Sequence, residues 1–169
     1  MKKAILSMIV MLFSISAMAV TSFYGNLECL KGQTVISVSL DLSKTIYNAQ
    51  YTVEDFLNKA PRSKEWKEGS IHQFVSEFNE KTQKTGILAI ENSDTEYEMQ
   101  IVPGELTTRG AFKKVVVNVI NKKSGELMCC MSLDTDDGDK DDVIAFRDTM
   151  GEMGEQLGKY FAMKIKKMK

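Results

Sequence analysis

Side chains able to do chemistry are sparse in this sequence, and the first to weigh are three cysteines, Cys29, Cys129 and Cys130. The last two are adjacent, so on a strand they point to opposite faces and only one of them can meet Cys29. A single bridge from Cys29 to Cys129 or to Cys130 is one reading; three small buried hydrophobes is the other. Six carboxylates crowd the nine residues from Asp134 to Asp142 and raise a calcium site built on Asp134, Asp136, Asp137 and Asp139. A helix-loop-helix calcium loop wants oxygen ligands at its positions 1, 3 and 5, glycine at 6 and glutamate at 12. With Gly138 at position 6, Leu133 falls at 1 and Ile144 at 12, so that register fails. What remains is a looser calcium site, or a solvated loop whose last aspartates cap the helix that follows.

His72 is the only histidine, which removes a multi-histidine zinc site, and a zinc set drawing on Cys129 and Cys130 would need ligands from opposite strand faces. A Cys-His nucleophile would have to use His72, which helical spacing puts on a flank beside Ile71. The chain carries no G-x-S-x-G elbow, phosphate-binding G-x-x-x-x-G-K, H-E-x-x-H or G-x-G-x-x-G. No cofactor is therefore expected. The basic tail Lys164, Lys166, Lys167 and Lys169 can complement a helix dipole or touch an anionic surface weakly.

The elements that must position these groups follow from periodicity. Residues 26–30 and the alternating Ile36, Val38, Leu40 and Leu42 predict a hairpin turning at Lys31-Gly32. Thr52-Val53-Glu54-Asp55 resembles a capping box opening a short helix that stops before Pro61. A helix over about 63–84 follows, with Ile71, Phe74, Val75 and Phe78 as its core stripe, Trp66 anchoring its first turn and Gly86 as its stop. Residues 87–90 and Tyr97, Met99 and Ile101 predict a strand pair turning at 92–94. Val115 to Ile120 predicts a central strand covered on both faces, with 127–133 pairing back on it. The last helix, about 141–167, repeats Val143, Phe146, Met150, Met153, Leu157 and Tyr160 at spacings of three and four, widened by Phe161 and Ile165. Gly154, Gly158 and Ala162 form a second row, expected to let this helix lie close to the sheet.

The fold expected is α+β: a mainly antiparallel sheet of four to six strands with two long amphipathic helices packed on it. Ahead of it, Lys2 and Lys3, the apolar run from Ala4 to Ser16 and Ala17-Met18-Ala19 have the three parts of a cleavable export signal, in order. Residues 1–19 are read as that signal peptide and 20–169 as one globular domain, periplasmic or secreted. Removing two lysines takes the formal charge from −1 to −3, unsuited to nucleic acid. No cysteine follows the cleavage site directly, so no lipid anchor is expected, and no membrane span remains in the mature chain.

The stretches "VVVNVINKKSGELMCCMS" and "FRDTMGEMGEQLGKYFAMKIKK", with "IHQFVSEFNEKT" and "TEYEMQIV", resemble a broad group of small uncharacterised envelope proteins of Gram-negative bacteria. At the level of fold this is similar to the N-terminal part of the Tol-Pal propeller protein and the periplasmic part of the curli secretion channel. The resemblance implies an envelope setting, other envelope proteins as partners, and no catalytic residue to carry over. The leading expectation is a non-catalytic envelope binding or scaffold protein. Its rivals are a carrier of a small apolar ligand, suggested by eleven methionines, and an enzyme using a buried pair of carboxylates.

Overall fold

Two long helices lie on one face of a six-stranded sheet, and a four-stranded sheet continues from the ends of its central strands. The structure, a computed structural model, describes residues 20–59, 63–135 and 142–168. Residues 1–19, for which an export signal is expected, and Asp136, Asp137, Asp139 and Lys169 lie outside the described residues, as do the side chains of Trp66 and Val143.

The strands are β1 (Thr21–Gly25), β2 (Val35–Leu40), β3 (Ile46–Tyr47), β4 (Tyr51–Thr52), β5 (Leu88–Glu91), β6 (Tyr97–Val102), β7 (Glu105–Leu106), β8 (Phe112–Lys113), β9 (Val115–Asn121) and β10 (Leu127–Leu133). The helices are α1 (Val53–Lys59), α2 (Ser63–Thr82) and α3 (Asp142–Lys166). The large sheet runs β1-β10-β9-β6-β2-β5, antiparallel from β1 to β6 and parallel from β6 through β2 to β5. The small one runs β4-β3-β7-β8. The α+β class and the mainly antiparallel sheet match the sequence expectation.

Three pairings differ from it. Residues 26–30 form no strand: Glu28–Leu30 is a 3-10 turn whose Leu27 and Leu30 drop into the core, and the strand before it, β1, pairs with β10 at the far edge. Nor do β5 and β6 form a hairpin, because β2 lies between them and is parallel to both. The short connection 92–96 must therefore cross one face of β2. The helices occupy the inner face, so it crosses the outer one, where Ser37 is buried to 1 % exposure. Asn92 (φ 45°) makes that sharp departure, and Thr95 completes the β2 ladder by accepting the Ser37 N–H at 3.0 Å on its hydroxyl. Lastly, β9 is central but covered fully on one side only: Val115, Val117 and Val119 are buried, whereas Val116, Asn118 and Ile120 are half-buried.

The inner face and the two long helices enclose one contiguous core. Ile71, Phe74 and Phe78 of α2 and Phe146, Met150, Met153, Leu157 and Phe161 of α3 supply the apolar stripes that spacing predicted. Phe78 meets Phe161 edge-on at 5.2 Å between centroids, and Phe112 meets Phe146 at 4.9 Å. The small-residue row of α3 serves a different neighbour from the one expected. Gly154 and Gly158 face the backbone of α2, where a Cβ on Gly154 would sit 2.3 Å from the Phe74 carbonyl oxygen. Contacts of Gly154 with Phe74 and of Gly158 with Phe78 advance together along both chains, so α2 and α3 run parallel. The missing side chains let the helices approach each other before either meets the sheet. The two C-termini consequently lie at the same end of the molecule.

The capping box holds in part: the Thr52 hydroxyl accepts the Asp55 N–H at 3.1 Å and donates to Asp55 Oδ2 at 2.8 Å. Next to it Tyr47 stacks on Phe56 at 4.0 Å, joining the small sheet to α1.

Candidate functional site

A cleft of about 350 Å³ opens where β2 ends. Its walls come from four elements brought together by the parallel β2–β5 pairing. Ser39, Leu40, Leu42 and Ser43 follow the β2 strand out, Glu54 comes from α1, Ile71 from α2, and Glu91 and Asn92 from the end of β5. The floor is apolar through Leu42 and Ile71, and the rim is polar. Asp41, at the turn behind it, is hydrogen-bonded by the Ser43 side chain and accepts the Ser43 N–H at 3.0 Å; the side-chain bond first and the backbone bond second hold its carboxyl below the usual carboxylate range.

Carboxylate catalysis asks for a buried pair, and the two carboxylates on the cleft, Glu54 and Glu91, are both solvent-exposed. A carrier was suggested by methionine, yet Met99, Met131, Met150 and Met153 are all fully buried in the core and none lines the cleft. No spacing in the sequence could have brought Glu54 and Glu91 together, since their meeting depends on β5 passing to the far side of β2.

Each remaining sequence candidate has a definite place. Asp134 is engaged by the backbone: its carboxylate accepts the Lys114 N–H, with Lys114 at φ 54° turning the corner between β8 and β9. Beside it Thr135 is zipped to β8, its hydroxyl accepting the Phe112 N–H and donating to the Phe112 carbonyl, both at 2.9 Å. His72 is exposed on α2, away from the core face that Cys129 occupies. Among the described residues no cluster of three or more histidine, cysteine or acidic side chains is gathered around a common point.

The cysteines divide as strand geometry requires. Cys129 faces inward in the core, and Cys130 faces outward, donating to Asn118 Oδ1 at 3.1 Å. Cys29, carried by the turn after β1, is half-buried against the same core as Cys129, four residues beyond Gly25, which is the strand partner of Cys129. All three are free thiols. Burial pushes the Cys29 thiol up to about 11, with the nearby Cys129 adding to the effect, and burial raises Cys129 and Cys130 as well. Their thiolate fraction at neutral pH is correspondingly low.

At the end where α2 and α3 both terminate, Lys164 holds its ammonium 5.2 Å from the Tyr160 ring centroid, and Glu155 bridges Lys159 at 2.7 Å and Lys81 at 3.3 Å. Those ion pairs, Lys159 foremost, hold the Glu155 carboxyl below its ordinary value, and Glu80 in turn raises Lys81. No helix among the described residues is long and apolar enough to cross a membrane.

No family model and no curated protein matches this chain. Among solved structures it is similar to a variant PelC dodecamer from Paraburkholderia phytofirmans, at 13 % identity and TM-score 0.41 over 83 % of this chain and 96 % of that one. PelC in a second crystal form gives 10 % identity and TM-score 0.42 over 82 % and 97 %. A Xanthomonas campestris protein of the family described as DUF330 gives 11 % and 0.35 over 88 % and 96 %. The structural neighbours are thus proteins of Gram-negative bacteria, one from a family without a described role, and at these identities and scores the likeness bears on neither activity nor partners.

Proposed function

We propose that this chain is exported, loses residues 1–19, and works without catalysis as an envelope protein whose task is to bind or scaffold other proteins. The observation that carries this reading is a set of exposed apolar side chains on the edge strands of the large sheet. Its two edge strands keep large apolar side chains in water: Phe23 at 60 % exposure and Tyr24 on β1, Leu88 and Ile90 at 46 % on β5. Edge strands usually carry charges, proline or a covering element; on β5 the Asn79 amide caps only the Ala89 backbone and leaves the apolar side chains of Leu88 and Ile90 in water. Apolar groups kept at both edges suit a surface that is covered when the protein works. The resemblance of the sequence stretches quoted above to small Gram-negative envelope proteins motivates the setting.

Photo-crosslinking residues placed at Phe23 and Ile90 test the reading in the native envelope, with His72 as an exposed control. Discrete protein adducts at the edge positions and none at His72 are expected; adducts no more frequent than the control at both edges would end it. Amino-terminal sequencing of the same material is expected to begin at about Val20.

Oxidising surroundings add a second expectation, a bridge between Cys29 and Cys129 rather than Cys130, because only Cys129 shares the buried face with Cys29. Exchange with a disulfide donor would form it, the donor leaving as two thiols. Non-reducing peptide mapping that finds Cys29 joined to Cys130 would refute the assignment.

A further inference from the structure

The parallel run of α2 and α3 gathers lysines from two distant stretches of sequence around one open groove of about 730 Å³. Lys81 and Lys84 come from the end of α2 and the turn beyond it, and Lys159, Lys166 and Lys167 from the end of α3. We propose that this groove is a docking face for the headgroup surface of an anionic phospholipid bilayer.

The first question is whether helix dipoles already account for the lysines. Two helix C-termini together present roughly one elementary negative charge. Glu80 lines the groove and Glu155 pairs with Lys81 and Lys159. Five ammoniums outnumber those two carboxylates and the dipole ends combined, and Lys84, Lys166 and Lys167 are exposed. The excess is positive and faces outward.

The second question is what kind of anion fits. A discrete phosphate site is built from backbone N–H groups or planar guanidinium forks. Here the backbone offers helix C-terminal carbonyls, which repel an anion held close, and the cations are flexible lysine stems. Such a face favours a diffuse negative surface over a single coordinated ion. Met163 stands among these lysines at 47 % exposure beside Ala162, and an apolar side chain ringed by ammoniums matches a headgroup layer, where charge meets the first acyl carbons. The net charge of the whole molecule is slightly negative, so the effect is local to this end. The proposal is independent of the sheet-edge reading.

Vesicle co-sedimentation decides it, using purified protein whose N-terminus has been sequenced, with phosphatidylglycerol–phosphatidylethanolamine vesicles against pure phosphatidylcholine. Binding only to the anionic vesicles, falling steeply between low and 0.3 M salt, is expected. The triple variant Lys84→Gln/Lys166→Gln/Lys167→Gln should lose about five-fold per lysine, on the order of a hundred-fold in all. Its circular dichroism should match the parent, since all three side chains are exposed. Equal binding to neutral vesicles, salt-insensitive binding, or an unchanged triple variant would each overturn the proposal. So would displacement by millimolar inorganic phosphate at constant ionic strength, which would mark a discrete anion site.

Discussion

Replacing Gly154 by alanine tests the close approach of α2 and α3 on which the helix layer rests. In the folded chain the added Cβ would lie 2.3 Å from the Phe74 carbonyl oxygen and 3.0 Å from its carbon, about 1 Å inside ordinary contact. Both atoms are helix backbone, so neither can rotate away, and α3 must lift from α2 along the whole contact. Overpacking of this kind costs about 1–3 kcal/mol, and alanine returns about 1 kcal/mol through its better helix propensity. Gly69 supplies the calibration: it lies inside α2, and a Cβ there meets nothing within 4 Å. Gly69→Ala should stabilise the protein by about 0.5–1 kcal/mol, while Gly154→Ala, its overpacking cost less the propensity gain, should destabilise it by up to about 2 kcal/mol. Gly158→Ala, 2.9 Å from the Phe78 oxygen, should fall between them, and Gly151→Ala, whose nearest neighbour is the flexible Gln73 side chain, should be close to neutral. Urea unfolding at constant m-value reads all four. If Gly154→Ala unfolds at the same urea concentration as Gly69→Ala, the interhelix contact is not where the argument puts it.

Three further outcomes follow from local geometry. Asn79 acts as a surrogate strand, its amide donating to the Ala89 carbonyl at 3.0 Å and accepting the Ala89 N–H at 2.7 Å; Asn79→Leu should cost about 1–2 kcal/mol and speed amide exchange at Ala89, and unchanged protection there would contradict the role. Thr135→Val leaves the buried Phe112 N–H without its side-chain acceptor and should lower stability by about 1–3 kcal/mol, whereas Thr135→Ser should recover most of it in the same thermal melt. In reduced protein the Cys29 thiol, raised from 9.0 to about 11, is protonated more firmly folded than unfolded. Its contribution to stability is thus complete below pH 9 and lost as pH climbs toward 11. At pH 8 it should alkylate on the order of a hundred-fold more slowly folded than in urea, and equal rates would show that the thiol is not held as described.

Local pattern by itself determined a good deal. The periodic stripes of α2 and α3 are the helices' buried faces, because a 3.6-residue repeat of apolar side chains leaves a helix only one face to hide. Alternation placed Tyr97, Met99 and Ile101 inward, and the adjacency of Cys129 and Cys130 dictated opposite directions for their side chains. Partnership was decided only in three dimensions. Residues 87–90 and 97–101 have the look of a hairpin, and nothing in their composition reports that β2 lies between them, since a strand's hydrogen bonds carry no residue code for their partner. The glycine row of α3 announced a close approach but not to what, and α2 rather than the sheet fills it. The same packing set the helices parallel. It thereby joined Lys81 and Lys84 to a basic tail some eighty residues later, just as the parallel β2–β5 pairing put Glu54 and Glu91 on the rim of one cleft. Side-chain type and spacing act over one or two turns of chain; a surface made from four segments exists only once the core has chosen their order.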